Sequence, residues 1–143
     1  MTDDGIVVVM DEHPLVEYLT AEETNRPREL SYGILREPPA PFFSHQAVVL
    51  RIARILSEHV ESLHLGQVGI APLDVVLDPA RALVVQPDVL FVSNDRLASV
   101  HNQVWGAPDL VVEVLSPGTE AHDRGDKLEW YRQYGVQIGR AHV

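Results

Sequence analysis

Cysteine is absent from this 143-residue chain, which rules out both a disulfide framework and a thiolate metal site. Lysine is almost absent: Lys127 is the single one, beside ten arginines and against twenty-one acids, for a formal net charge of −10. A protein that grips a nucleic-acid backbone by charge alone usually shows a basic face, and this composition supplies none overall. The local exceptions are Arg26, Arg28 and Arg36, and the pair Arg51 and Arg54. Long hydrophobic runs are missing too. The longest near the start, Ile6 to Met10, is too short for a membrane span or a signal-peptide core. A soluble, cytoplasmic protein with no membrane partner is therefore expected. No internal repeat or low-complexity stretch is visible. What is present is 45% hydrophobic residues, enough for one core in a single domain.

The pattern along the chain is mixed. Residues 1–27 read as acidic and irregular, with a short helix over 13–19. Leu30, Tyr32 and Ile34 alternate within a strand from Glu29 to Glu37, and Gly33 permits a bend. Ser44 is a plausible N-cap for a long helix, with Val48, Val49, Ile52, Ile55, Leu56, Val60 and Leu63 at helical spacing and Gly66 at its end. Three strands follow, over Val68–Leu77, Ala82–Val92 and Asp109–Leu115. The third is apolar apart from Glu113, as expected of a strand buried on both faces. A last helix is expected from Asp123 as N-cap to Tyr134, closed by Gly135. The order predicts an α/β fold, a mixed β-sheet flanked by helices.

Two of these strands carry a carboxylate in an apolar setting, Asp88 and Glu113, and the last helix supplies Lys127. Carboxylates bind a hard divalent cation, and a cation balances the charge that develops in phosphodiester cleavage. The pattern points to a metal-dependent nuclease.

Specific stretches sharpen this. They are Arg28-Glu29-Leu30 with Gly33, Pro39 to Gln46, Ala71 to Val75, Val85-Gln86-Pro87-Asp88-Val89-Leu90-Phe91-Val92, and Ala107 to Pro117. Asp123-Arg124, Lys127, Tyr131 and Gly135-Val136 close the series. Together they resemble the Uma-two family of bacterial restriction-endonuclease-like proteins, within the PD-(D/E)XK nuclease superfamily. The resemblance implies a restriction-endonuclease-like core in which Asp88 and Glu113 hold Mg²⁺ or Mn²⁺. It implies Lys127 as the third catalytic residue, Glu29 as a further metal or water ligand, and the Val114 carbonyl as a ligand by analogy. Nucleic acid, DNA above all, is the implied partner. The superfamily usually places its lysine two residues after the second acid, where this chain has Leu115, so Lys127 on the following helix takes that role. Tyr32 stands where the family has aspartate, and Gly118 interrupts its Ser-Pro-Ser-Thr.

Each candidate has a plainer alternative. Asp88 could belong to a turn after Pro87, and Lys127 could be a solvated helix residue. Glu29 could face solvent, and Asp109 reads better as a turn cap. His45, at a helix start, could contact phosphate or metal, or could cap. Tyr131, one turn after Lys127, could orient that ammonium or pack in the core. Trp105 and Trp130 read as packing residues rather than base-stacking ones. The other histidines, His13, His59, His64, His101 and His122, have no mutual metal-ligand spacing and read as surface residues.

The end of the chain breaks the pattern. After Gly135-Val136 an α/β domain should return to its sheet, but Ile138-Gly139-Arg140-Ala141-His142-Val143 has the sequence of a translated library-adapter read. Residues 1–136 are accordingly expected to be the nuclease-like domain, lacking its C-terminal strand, with 137–143 not native. Three functions then compete: an endonuclease, acting alone, as a homodimer or with a partner; a catalytically inactive interaction module of the same fold; and a non-functional fragment.

Overall fold

The computed structural model describes residues 6–9, 14–22, 26–117 and 121–143, with the side chains of 6–9 and 121–124 left aside. A first strand, β1 (Ile6–Val9), runs antiparallel to β3 (Ile34–Glu37), so the opening segment is not wholly irregular. Helix α1 (Pro14–Thr20) starts on a proline, whose missing N–H costs nothing in a first turn. The expected Glu29–Glu37 strand is a hairpin of β2 (Glu29–Ser31) and β3, turned at Tyr32 and Gly33.

Helix α2 spans Phe43–Ser62. Phe42, not Ser44, is its N-cap, and no side chain caps it. Its buried face carries His45, Val49 and Val60, with Val48, Ile52 and Leu56 packed beside them, while Ile55 and Leu63 remain exposed. Gly66 does not end the helix but opens β4 (Gly66–Ile70). A Cβ there would meet the Val92 carbonyl oxygen at 2.0 Å, so the close approach of β4 to its neighbour requires glycine.

Two expected strands each divide between two sheets. The first yields β4 and β5 (Val75–Asp78); the second yields β6 (Leu83–Val85) and β7 (Val89–Ser93). A 3-10 helix (Asn94–Ser99) and the short β8 (Val104–Trp105) lead to β9 (Leu110–Leu115). Helix α3 (Ala121–Gln133) begins before Asp123, and a final strand, β10 (Gln137–His142), follows. One sheet has the order β1-β3-β2-β6-β5-β8 and the other β10-β9-β7-β4. The single mixed sheet expected from the sequence is thus two.

The missing C-terminal strand is a correction. Residues 137–142 pair in parallel with Leu110–Leu115, from Gln137 opposite Leu110 to His142 opposite Leu115. The physical reason is that a strand edge is satisfied by backbone groups, which any non-proline residue offers. Gly135, at φ +77°, turns the chain out of α3, and Ile138 and Ala141 reach the apolar layers on opposite faces of the sheet.

The layers follow from strand alternation. Val89, Val112 and Val114 face α2. Leu90, Val92 and Val111 face the other way, meeting Val75, Leu77, Leu83 and Val85 of the larger sheet and Tyr131 of α3. The far side of the larger sheet buries Leu30, Val76 and Val84 against Tyr18 of α1. Glu113 shares the parity of Val111 and so projects into the interior between the sheets, wholly buried.

Candidate active site

The site forms where the chain crosses from one sheet to the other, at Gln86-Pro87-Asp88. Strands β7 and β9 pair Val89 with Val112, so Asp88 lies one step further, opposite Glu113. The Asp88 Oδ2 accepts the Val114 N–H at 2.7 Å, which fixes the carboxylate across the mouth of the strand pair. Glu113 receives the Tyr131 hydroxyl on Oε2 at 2.7 Å, and the Lys127 ammonium lies 3.1 Å from the same oxygen.

Lys127 is held by more than Glu113. Its Nζ lies 2.6 Å from Glu29 Oε2 and donates to the Gln86 carbonyl at 3.1 Å. Glu29 in turn accepts the Gln86 N–H at 2.6 Å. Lys127 and Tyr131, four apart on α3, therefore converge on one buried carboxylate, as helical spacing allows. Burial and the charges of Glu113 and Glu29 push the Tyr131 phenol well above its usual range, so it stays protonated and donates.

His45 reaches the site from α2. Its Nε2 donates to the Val114 carbonyl at 3.0 Å and lies 3.5 Å from Asp88 Oδ2, while Nδ1 lies 2.8 Å from the Gln46 amide oxygen. The Asp88 contact raises its pKa above the ordinary histidine value, against the opposing effect of burial. It is neither a helix cap nor a surface group.

The structure thus brings together Asp88, Glu113, Lys127, Glu29, Tyr131 and His45. Asp109 stays outside: its carboxylate accepts the Ser93 N–H at 2.6 Å and pairs with Arg96, a structural cap. His59, His64 and His101 are exposed, whereas His13 and the His122 side chain lie outside the described residues. Trp105 and Trp130 both pack against apolar clusters. Sequence reading missed Gln86. Its backbone holds Glu29 and Lys127, and its amide accepts the Arg28 N–H at 2.9 Å and donates to Asp74 at 2.9 Å. The one available signal was its place beside Pro87-Asp88.

The donor set suits a hard cation. Glu29, Asp88 and Glu113 bring three carboxylates against one lysine and His45, leaving the cluster acidic even with His45 protonated. Between Glu29 and Glu113 the ammonium stands as a cation already. Among the described residues no group of three or more His, Cys, Asp or Glu side chains is arranged to hold a metal ion. Mg²⁺ does not need one, since it commonly takes one or two carboxylates and leaves the rest to water and phosphate.

The family model Uma2, described as "Putative restriction endonuclease", matches residues 15–139. The chain belongs to the Uma2 family. A crystal structure of "a putative nuclease belonging to DUF820" from Anabaena variabilis superposes with a TM-score of 0.74 at 20% identity. The match covers 90% of this chain and 73% of that one, and it shows a shared fold. No curated protein matches the chain. For this Uma2 protein the α/β, restriction-endonuclease-like architecture is therefore established. No helix among the described residues is long and apolar enough to cross a membrane.

Proposed function

We propose that the chain is a metal-dependent endonuclease of the PD-(D/E)XK type that hydrolyses phosphodiester bonds in nucleic acid, DNA being the expected substrate. The observation that carries the reading is the Lys127 ammonium 3.1 Å from Glu113, beside the Asp88–Glu113 strand pair. Asp88, Glu113 and the Val114 carbonyl would hold Mg²⁺ or Mn²⁺. When bound, such an ion polarises a phosphoryl oxygen and acidifies water.

The chain's own groups supply the rest. Lys127 offers a positive charge to the scissile phosphate, and its long stem lets it exchange Glu29 for a phosphoryl oxygen. Glu29 holds that ammonium beside the site before substrate arrives and can then orient water. Tyr131 keeps the buried Glu113 aimed and hydrogen-bonded. A preorganised charge in a low-dielectric site contributes far more to catalysis than the same charge in water.

The test is nicking of supercoiled plasmid with Mn²⁺ or Mg²⁺ by wild type, Asp88→Ala and Lys127→Ala. Wild type should nick and both variants should fall by two orders of magnitude or more, a typical loss for a preorganised electrostatic group. Equal nicking by all three would remove the proposal.

A further inference from the structure

We propose that Tyr32 and Trp130 form a stacking platform for an unpaired nucleobase beside the candidate active site, which makes single-stranded nucleic acid the preferred substrate class. The proposal deepens the nuclease reading and rests on it for the identity of the ligand.

The turn between β2 and β3 places Tyr32 at φ +49° and Gly33 at φ +87°. Two successive positive φ values define the hairpin turn that favours asparagine, aspartate or glycine at its first central position. A bulky aromatic there is strained, and such outliers tend to persist where a function holds them. Burial does not account for it, because Tyr32 remains 43% exposed. Its ring instead meets Trp130 edge-on, with centroids 5.7 Å apart and planes at 88°.

The position of this pair matters most. Strand β2 opens on Glu29 and the turn that follows it begins at Tyr32, while α3 carries Lys127 and Trp130, each pair three residues apart. The first contact between the two elements is the Lys127–Glu29 ion pair at 2.6 Å; the second is Tyr32 with Trp130. The aromatic pair therefore stands one step along from the ammonium, roughly 5 to 10 Å by the rise of helix and strand. Trp130 is half-buried against the core, a rigid base for the exposed tyrosine. An edge-to-face pair occupies one face of one ring only, leaving aromatic surface open.

Charge favours this mode of binding. With eleven lysines and arginines against twenty-one acids, a net charge of −10, the protein has no overall basic excess with which to hold a phosphate backbone. Stacking on a base face needs no net charge and tolerates any sequence, but intact duplex hides those faces. DNA and RNA single strands present the same faces.

Binding is measured by fluorescence anisotropy at low salt in EDTA, with labelled oligo(dT), oligo(rU) and a duplex of equal length. Tyr32→Asn suits the turn and should melt no lower than wild type. It should weaken binding of both single strands about tenfold, with duplex binding unchanged. Trp130→Leu should weaken the same two. Single-strand binding by Tyr32→Asn equal to wild type, or a wild-type preference for duplex, would overturn the platform. The plasmid assay separates the two ideas. Nicking lost in Asp88→Ala with Tyr32→Asn binding intact removes the platform alone. Weakened binding in Tyr32→Asn with no nicking by wild type retains the platform and removes the nuclease.

Discussion

The Tyr131 hydroxyl donates to Glu113 Oε2 at 2.7 Å, and neither residue has any exposed surface. A buried carboxylate that loses a donor keeps its desolvation cost. Tyr131→Phe should therefore destabilise the fold by about 1–3 kcal/mol, read as a lower urea midpoint. Nicking should fall as well, since Glu113 is then aimed by Lys127 with less support. An unchanged midpoint would mean that the carboxylate does not depend on this phenol.

His45 gives the stability a definite pH slope. Its folded pKa lies above the ordinary 6.5, raised first by the hydrogen bond to Asp88. Protons bind the folded state more tightly, so the contribution is full below 6.5 and is lost as pH rises through the higher folded value. In metal-free buffer the unfolding free energy should decline across that window in wild type. In His45→Gln the decline should shrink. A wild-type profile that rises over the same interval would contradict the assignment.

Much of this site could be read from residue types alone. Glu113 amid valines had no comfortable structural role, and Lys127 was conspicuous as the single lysine. Periodicity also located α2 and β9, because a 20-residue amphipathic face and an apolar strand are strong signals. What escaped was the division of the segments at Pro72 and Pro87. Alternation reports that a strand has two faces, not which sheet it joins, so β4–β5 and β6–β7 each read as one strand. For the same reason Gln86 escaped notice. Its role comes from lying at the crossover, where its backbone groups are free to meet Glu29 and Lys127. His45 looked like a helix-start residue because its partners are 43 and 69 positions away.

Metal should show itself without any turnover. If Asp88 and Glu113 hold the ion in the folded state only, saturating Mn²⁺ stabilises the protein by mass action, about 2.7 kcal/mol at a hundredfold excess over Kd. That corresponds to a rise in Tm of several degrees, reversed by EDTA. Asp88→Asn should abolish the rise while leaving the metal-free Tm within a few degrees of wild type. An equal rise in the variant would put the ion elsewhere.

Strand β10 tests how far a backbone edge alone supports the site. Glu113 sits mid-strand in β9, with β7 on one side and Arg140 opposite it in β10 on the other. Deleting 137–143 would leave the outer edge of β9 unpaired between apolar faces, the situation that promotes strand addition and aggregation. The shortened chain should elute in part as high-molecular-weight material on size exclusion and lose nicking. A milder probe is Gly139→Val. A Cβ at 139 would stand 3.3 Å from Val112 Cγ2, so a branched side chain must push the strand outward. That variant should remain monomeric but melt lower, by an amount corresponding to about 1–3 kcal/mol of overpacking. If deletion leaves both the elution profile and the Tm unchanged, β10 contributes nothing to the fold, and the placement of Glu113 depends on β7, Lys127 and Tyr131 alone.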